Sequence, residues 1–431
     1  VNDAAPRYST RYVNLVVALL AGAVFVEFFH RQVLAVAMDE IGRDLVLSDT
    51  QLGALVTVFA FAYAVSAPLL GRVVDRVERR GVYAAGIAAW SVATALGGAA
   101  GGFVALLATR VLAGAGQGAA GATNTPLIVD YVPPERRGGV LALASMGATV
   151  AALAAGAVGS AGLLQRFGWR AVFVASGVFG VAFAVVFAAC VKEPPRGWSE
   201  GRATAPSTPA SPREIAALLR GRAALLHTFA GTGLNSIAVF AMAQWVVVFF
   251  ERTHGMSNAQ ASGALMSVAL ACTVGAIAGG MLANRAWSVR PRAVLLVPAA
   301  CSALAAPLLV AGANAPGSGA AVALSSLTGM LALLHSAPAS AAIQGLIPDR
   351  MRGALTGVIA SLMTLIGLGG GPLLTGLLSD LFGGATRPDS IGRALSWVAL
   401  LFLWAGVHLA LAARSFARDL EDAARDASAH G

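Results

Sequence analysis

Charge is what this chain has least of. Asp, Glu, Lys and Arg make up 12% of its 431 residues, whereas 57% are hydrophobic and the mean hydropathy is +0.74. A water-soluble fold of that composition would leave several twenty-residue apolar helices uncovered, so the composition excludes a soluble domain and points to a polytopic membrane protein. Cysteine is also scarce. Cys190, Cys272 and Cys301 each sit inside an apolar run without paired spacing, which excludes a disulfide framework or a zinc site and leaves them as packing residues. His227, His254, His335 and His408 fall on four separate segments with no H-E-x-x-H spacing, so neither a metal site nor any other cofactor is expected. Gly114, Gly116 and Gly118 lie inside an apolar run with no preceding strand. They read as a helix-contact surface and not as a nucleotide loop.

The apolar runs, separated by polar breaks, predict twelve spans. They cover 12–38, 52–74, 82–100, 103–131, 138–164, 171–191, 225–250, 260–282, 293–312, 319–346, 353–378 and 391–413. The first run is too long for a signal core and carries charges with no small-residue cleavage site after them, so it is expected to remain as a span. The single long polar break, 192–222, clusters Pro, Ser, Arg and Gly without periodicity and reads as a cytoplasmic linker. It divides the chain into a six-helix half over 1–191 and a second over 223–431. The expected fold class is therefore an all-α membrane protein of twelve transmembrane helices in two pseudo-symmetric halves.

Basic residues are distributed unevenly over the breaks. With both termini on one side, and Arg72 and Arg393 at span rims counted with the breaks they adjoin, 22 of the 28 Lys and Arg so counted lie on that side, and the positive-inside rule makes it cytoplasmic. The same scatter over short loops accounts for the net charge of +9 without a nucleic-acid partner. Two breaks recur. Gly280-Met281-Leu282-Ala283-Asn284-Arg285 is a worn copy of Gly71 to Arg76, and Pro348-Asp349-Arg350-Met351-Arg352-Gly353 echoes Pro134-Glu135-Arg136-Arg137-Gly138, at offsets of 209 and 215 residues between their glycines. Near-equal offsets imply a duplicated six-helix unit.

The densest charge cluster runs Gly71-Arg72-Val73-Val74-Asp75-Arg76-Val77-Glu78-Arg79-Arg80-Gly81. It resembles the G-x-x-x-D-R-x-x-R-R loop of the major facilitator superfamily of transporters. Arg110 to Gly118 is similar to that family's fourth-span pattern R-x-x-x-G-x-G, and Gly168-Trp169-Arg170 to the usual start of its sixth span. Lys192-Glu193-Pro194, the Ile366 to Pro372 run and Leu377-Leu378-Ser379-Asp380 resemble bacterial members of the spinster-like branch. The first and fourth spans also resemble the anion:cation symporter branch. The fifth span offers Gly147, Gly156, Gly159 and Gly162 but no Gly-Pro pair, a departure from the drug:proton antiporter signature.

These resemblances imply a monomeric inner-membrane secondary carrier, with both termini cytoplasmic, moving a small organic anion or an amphipathic, lipid-like molecule. Ionisable residues at membrane depth are costly and so mark candidate sites. Arg31 and Arg110 stand about seven residues from the expected outer ends of spans one and four, which predicts a two-arginine anion clamp. Gln117, Asn124 and Asn235 join them as candidate substrate-binding residues. Glu27 and Arg31 have i,i+4 spacing with the acid first, the favourable order for a helical ion pair, and His30 lies between them. Glu27 and His30 are the candidate proton-coupling groups. Relatives usually carry Asp-Arg where this chain has His30-Arg31, and often an acid at Gln117, which leaves Glu27 the main titratable candidate and puts ordinary proton symport in question. For gating, Asp75 is expected to accept from the amides opening span eleven near Gly353, and Arg76 or Arg79 to meet Asp130. An efflux carrier for organic solutes is the alternative. A membrane-embedded enzyme or receptor would need a catalytic constellation or sensor domain that the sequence does not contain.

Overall fold

The computed structural model describes residues 8–196, 212–289, 291–348, 351 and 362–429. In chain order the long helices are α1 (Thr10–Asp44), α2 (Asp49–Val74), α3 (Arg79–Gly97), α4 (Phe103–Tyr131), α5 (Pro134–Ser160) and α6 (Leu163–Cys190). They are followed by α7 (Pro212–Gly221), α8 (Ala223–His254), α9 (Asn258–Val289), α10 (Ala293–Ala313), α11 (Ser318–Leu334), α12 (Ser336–Leu346), α13 (Leu362–Leu381) and α14 (Ser390–Ala429). Among the described residues, eleven segments are long and apolar enough to cross a membrane, with α11 and α12 together forming one of them. The shortfall from twelve falls on α3. Its 19 residues open with Arg79 and Arg80 and are rich in Ala, Gly, Ser and Thr, so it lacks a membrane-length stretch as apolar as those of the other eleven segments.

The chain divides into two compact units. The first comprises Val1–Leu47, Ala54–Pro206 and Asn258–Gly263; the second comprises Ser48–Gly53, Ser207–Ser257 and Ala264–Gly431. In the first, α3 packs between α4 and α6, and α1 lies chiefly on α5 with α6 alongside. The α4 glycines are where backbones meet: a Cβ on Gly116 would stand 3.0 Å from the Trp90 amide nitrogen of α3, and one on Gly114 would collide with the Phe59 carbonyl of α2. Close helix contact is thus what these glycines provide. In the second unit, α14 packs against α8 and α10, and α13 against α8.

Several expected boundaries change. The C-terminal helix runs to Ala429 and not to 413, because Ala412, Ala413, Phe416 and Leu420 continue a helical stripe onto the second unit's core. The expected linker 192–222 contains a ten-residue helix, α7, with Pro212 in its first turn, Glu214 near its start and Arg220 near its end. Leu218 and Leu219 of α7 pack on that same core, which periodicity over so short a run did not reveal. The tenth span is broken at His335, where Pro338 has no N–H to offer the Leu334 carbonyl. In α13 a π-helical turn over Leu365–Gly369 precedes Pro372 for a similar reason. Most consequentially, α1 continues to Asp44, six residues past its expected end.

Candidate functional site

The ionisable core of the first unit lies between α1 and α4. Spaced one turn apart on α1, Glu27 and Arg31 are paired, with Arg31 Nη2 2.5 Å from Glu27 Oε1. Arg31 Nε donates to Gln117 Oε1 on α4 at 2.8 Å, and Gln117 Nε2 donates back to the Glu27 carbonyl at 3.4 Å. Glu27 and Gln117 are buried. Around the guanidinium stand the rings of Phe28, Phe59 and Tyr63, their centroids 4.9, 5.0 and 5.5 Å from Cζ. Two of the three Arg31 nitrogens are therefore committed, while Nη1 has no hydrogen-bond partner among the described residues. An aromatic collar around a cation that keeps one donor open can hold an anionic group beside an apolar body.

The extended α1 corrects the expected matched depths. Arg31 is thirteen residues, roughly 20 Å, from the end of α1, whereas Arg110 is seven residues, roughly 10 Å, from the start of α4. Arg31 is consequently level with Gln117, and among the described residues Arg31 and Arg110 have no shared partner. Arg110 is buried, with its Cζ 5.7 Å from the Phe173 ring of α6 and its Nε and Nη2 without hydrogen bonds among the described residues. Arg110, Gln117 and Asn124 recur every seven residues and so form one stripe along α4. Asn124 Oδ1 is likewise buried and unpartnered.

His30 is not brought into the Glu27–Arg31 pair. One residue on a helix turns the side chain by about 100°, and His30 Nε2 lies 2.9 Å from the Ser176 carbonyl of α6. Asn235, in the second unit, is fully enclosed: its amide nitrogen donates to the Ala332 carbonyl at 3.3 Å and its oxygen accepts from Ser302 at 3.2 Å. His335, at the α11–α12 break, lies 3.2 Å from the same amide and leaves Nε2 buried without a partner among the described residues.

Of the expected gating residues, Arg79 meets Asp130 directly and adds Glu193 Oε1 at 2.7 Å and the Pro194 carbonyl at 3.0 Å. Arg76 is exposed. Asp75 is also exposed and stands 3.8 Å from Arg196; its expected partners near Gly353 lie outside the described residues. The Lys192 to Pro194 segment, quoted above only as a resemblance, is tied down by Tyr12, which accepts from the Lys192 amide at 2.8 Å, and by Tyr131, which donates to its carbonyl at 2.5 Å.

A second polar cluster was missed in the sequence. Asp49, fully buried in the second unit, accepts from Arg252 Nη1 at 2.9 and 3.0 Å and from Ser379 at 2.6 Å, while Asp380 accepts from the amides of Asp49 and Thr50 at 3.1 and 2.8 Å. An acid in the first turn of a span looks like an ordinary helix start. The only hint was the Ser379-Asp380 pair.

Matched against known families, residues 20–370 fit the Major Facilitator Superfamily. The chain belongs to that family. It is therefore a multi-pass membrane transporter and not an enzyme. Over 98% of both chains it is 29% identical to a protein of Mycolicibacterium smegmatis named an MFS-type efflux pump. A hexuronate transporter of Bacillus subtilis is 28% identical over 84% of this chain and 87% of its own, and spinster homolog 1 of Mus musculus is 27% identical over 98% and 84%. In fold it matches a solved bacterial homolog of the human lysosomal transporter spinster, with a TM-score of 0.86 at 23% identity over 96% of this chain and 99% of that one.

Proposed function

We propose that this transporter is a secondary carrier for a small organic anion or an anionic amphipath, and that Arg31 receives the anionic group. The observation that carries the reading is the Nη1 of Arg31, open among the described residues and inside an aromatic collar, with Glu27 on the neighbouring Nη2 of the same guanidinium. An anion arriving at Arg31 competes with Glu27 for that charge, so the carboxylate gains proton affinity as cargo binds; this exchange is one physical basis for proton coupling. Tyr63 of α2 and Tyr83 of α3 are further titratable side chains that feel the charge of Glu27. Arg110 and Asn124, unpartnered on the stripe that holds Gln117, extend the path along α4. A hexuronate transporter among the relatives agrees with a carboxylate cargo, while an amphipathic cargo is what the sequence resemblance to the spinster-like branch implies.

The test is a ligand-shift melting screen of purified protein against organic acids and single-chain phospholipids. The cargo should raise the melting temperature of the wild type, and Arg31→Gln should weaken its binding by about 2 to 5 kcal/mol, with a smaller loss for a neutral analogue. Equal losses for charged and neutral compounds would remove Arg31 from the site. A second reading, export of neutral organic solutes, rests on the efflux-pump relative and would give that equal loss. We further infer that the carrier rocks between two states as a monomer, and that its termini face the cytoplasm of a cell whose inner membrane holds it. Reporter fusions at Arg202 and Arg425 should both report cytoplasm, and a periplasmic signal from either would reverse the orientation.

A further inference from the structure

Behind α1, on the side away from the Glu27–Arg31 pair, lies a cleft of about 630 Å³ lined by α1, α5 and α6. Phe25 and Phe29 form its floor, stacked with centroids 5.5 Å apart, and Phe179 meets Phe25 edge-on at 6.4 Å. On a helix wheel Phe25 and Phe29 stand about 160° from Glu27, so α1 presents its ionisable face to α4 and its aromatic face to this cleft. Ala154 and Val158 of α5 make one wall and Val172 and Ala175 of α6 the other. Among the described residues the one side-chain hydroxyl in the lining is that of Ser176, and it is spent on the Phe173 carbonyl at 3.0 Å. Among these residues the lining is otherwise almost wholly apolar.

The mouth is different. Gly168 adopts φ +76 and ψ 157 and kinks α6, and the residue before it, Phe167, is 59% exposed and lines the cleft. Over that ring, 5.5 Å from its centroid, lies the guanidinium of Arg166, an exposed arginine with no acidic partner among the described residues. Its neighbour Arg170 is already paired with Asp44 at the end of α1, which also places this mouth at the membrane face opposite the amino terminus. From Phe167 to Phe179 the α6 wall runs roughly 18 Å at 1.5 Å per residue, close to the depth of one leaflet's hydrocarbon, roughly 15 Å.

We propose that this cleft is a binding site for one phospholipid of that leaflet, with an acyl chain against Phe25, Phe29 and Phe179 and the phosphate on Arg166. The assignment rests on charge complementarity at the mouth and on an apolar slot of leaflet depth, and it is independent of the cargo reading, since the slot lies on the far side of α1 from Arg31. A lipid seated there bears directly on the helix that carries Glu27 and Arg31.

Native mass spectrometry of the whole protein, delipidated and titrated with phosphatidylglycerol, tests the assignment. The wild type should retain one lipid more tightly than the rest. Arg166→Gln should weaken that lipid about tenfold, the scale of one charge-assisted contact, and dioleoylglycerol, which lacks the phosphate, should bind the wild type about as weakly as phosphatidylglycerol binds Arg166→Gln. Ala175→Trp, which fills the slot, should abolish the tight lipid, with Ala154→Phe on the opposite wall as a second filler should Ala175→Trp misfold. Arg31→Gln should leave it in place. Retention unchanged in Arg166→Gln and in whichever filler folds would overturn the proposal, as would a tight lipid lost in Arg31→Gln and kept in the fillers, which would place it in the cargo site.

Discussion

Arg79, buried, and Arg31, half-buried, both stand among helices of the first unit, and they are treated in opposite ways. Arg79 stands at the N-terminus of α3, where a cation opposes the helix dipole, yet every part of its guanidinium is met: Asp130, Glu193 and the Pro194 carbonyl share it. Arg31 shares its charge with one carboxylate and one amide and keeps a donor free. Arg110 goes further, with two nitrogens buried and unmet. Saturation separates a fastening from a site: a group whose partners are all supplied by the protein has nothing left to offer a ligand, while an unmet buried charge is retained at a cost to stability.

If that distinction holds, substitutions at the three arginines should diverge. Arg79→Gln should have the largest effect on folding, lowering stability by about 3 to 5 kcal/mol because Asp130 and Glu193 lose the cation they share, visible as a fall in the melting temperature of purified protein without cargo. For Arg110→Met, melting should hold or rise by about 1 kcal/mol, because an unpaired buried charge is removed, while cargo uptake falls. A fall in melting comparable to that of Arg79→Gln would class Arg110 as another fastening. The smallest effect belongs to Asn124→Ala, where no hydrogen bond to Oδ1 is lost: stability should change by less than about 0.5 kcal/mol, and only uptake should report the substitution.

How much of this was legible beforehand follows the physics of each signal. Apolar runs of membrane length fixed the helices, and the i,i+4 order of Glu27 and Arg31 read directly as a pair. Arg79 with Asp130 could be anticipated because both lie at span ends on one face of the membrane. What failed was reach. Polarity alone could not show that α1 continues through Asp39, Glu40, Arg43 and Asp44, and that extension pairs Arg31 with Gln117 where a second arginine was expected. Nor could it show that Asp49, an ordinary helix-start acid, closes a network with Arg252 and Ser379, since those residues are 203 and 330 positions away. The lipid cleft depends on a left-handed Gly168 that composition does not distinguish from the other 49 glycines.

The central claim is that the open charge on Arg31 and the carboxylate of Glu27 act as one exchange. Glu27→Gln in proteoliposomes measures it most directly, by comparing uphill uptake driven by a pH gradient with cargo counterflow at equal pH. Gradient-driven uptake should be abolished while counterflow continues, because exchange needs the carrier to reorient with cargo but moves no net proton. Gradient-driven uptake that survives in Glu27→Gln, or a wild type indifferent to the gradient, would contradict the account and leave Glu27 as a structural partner of Arg31.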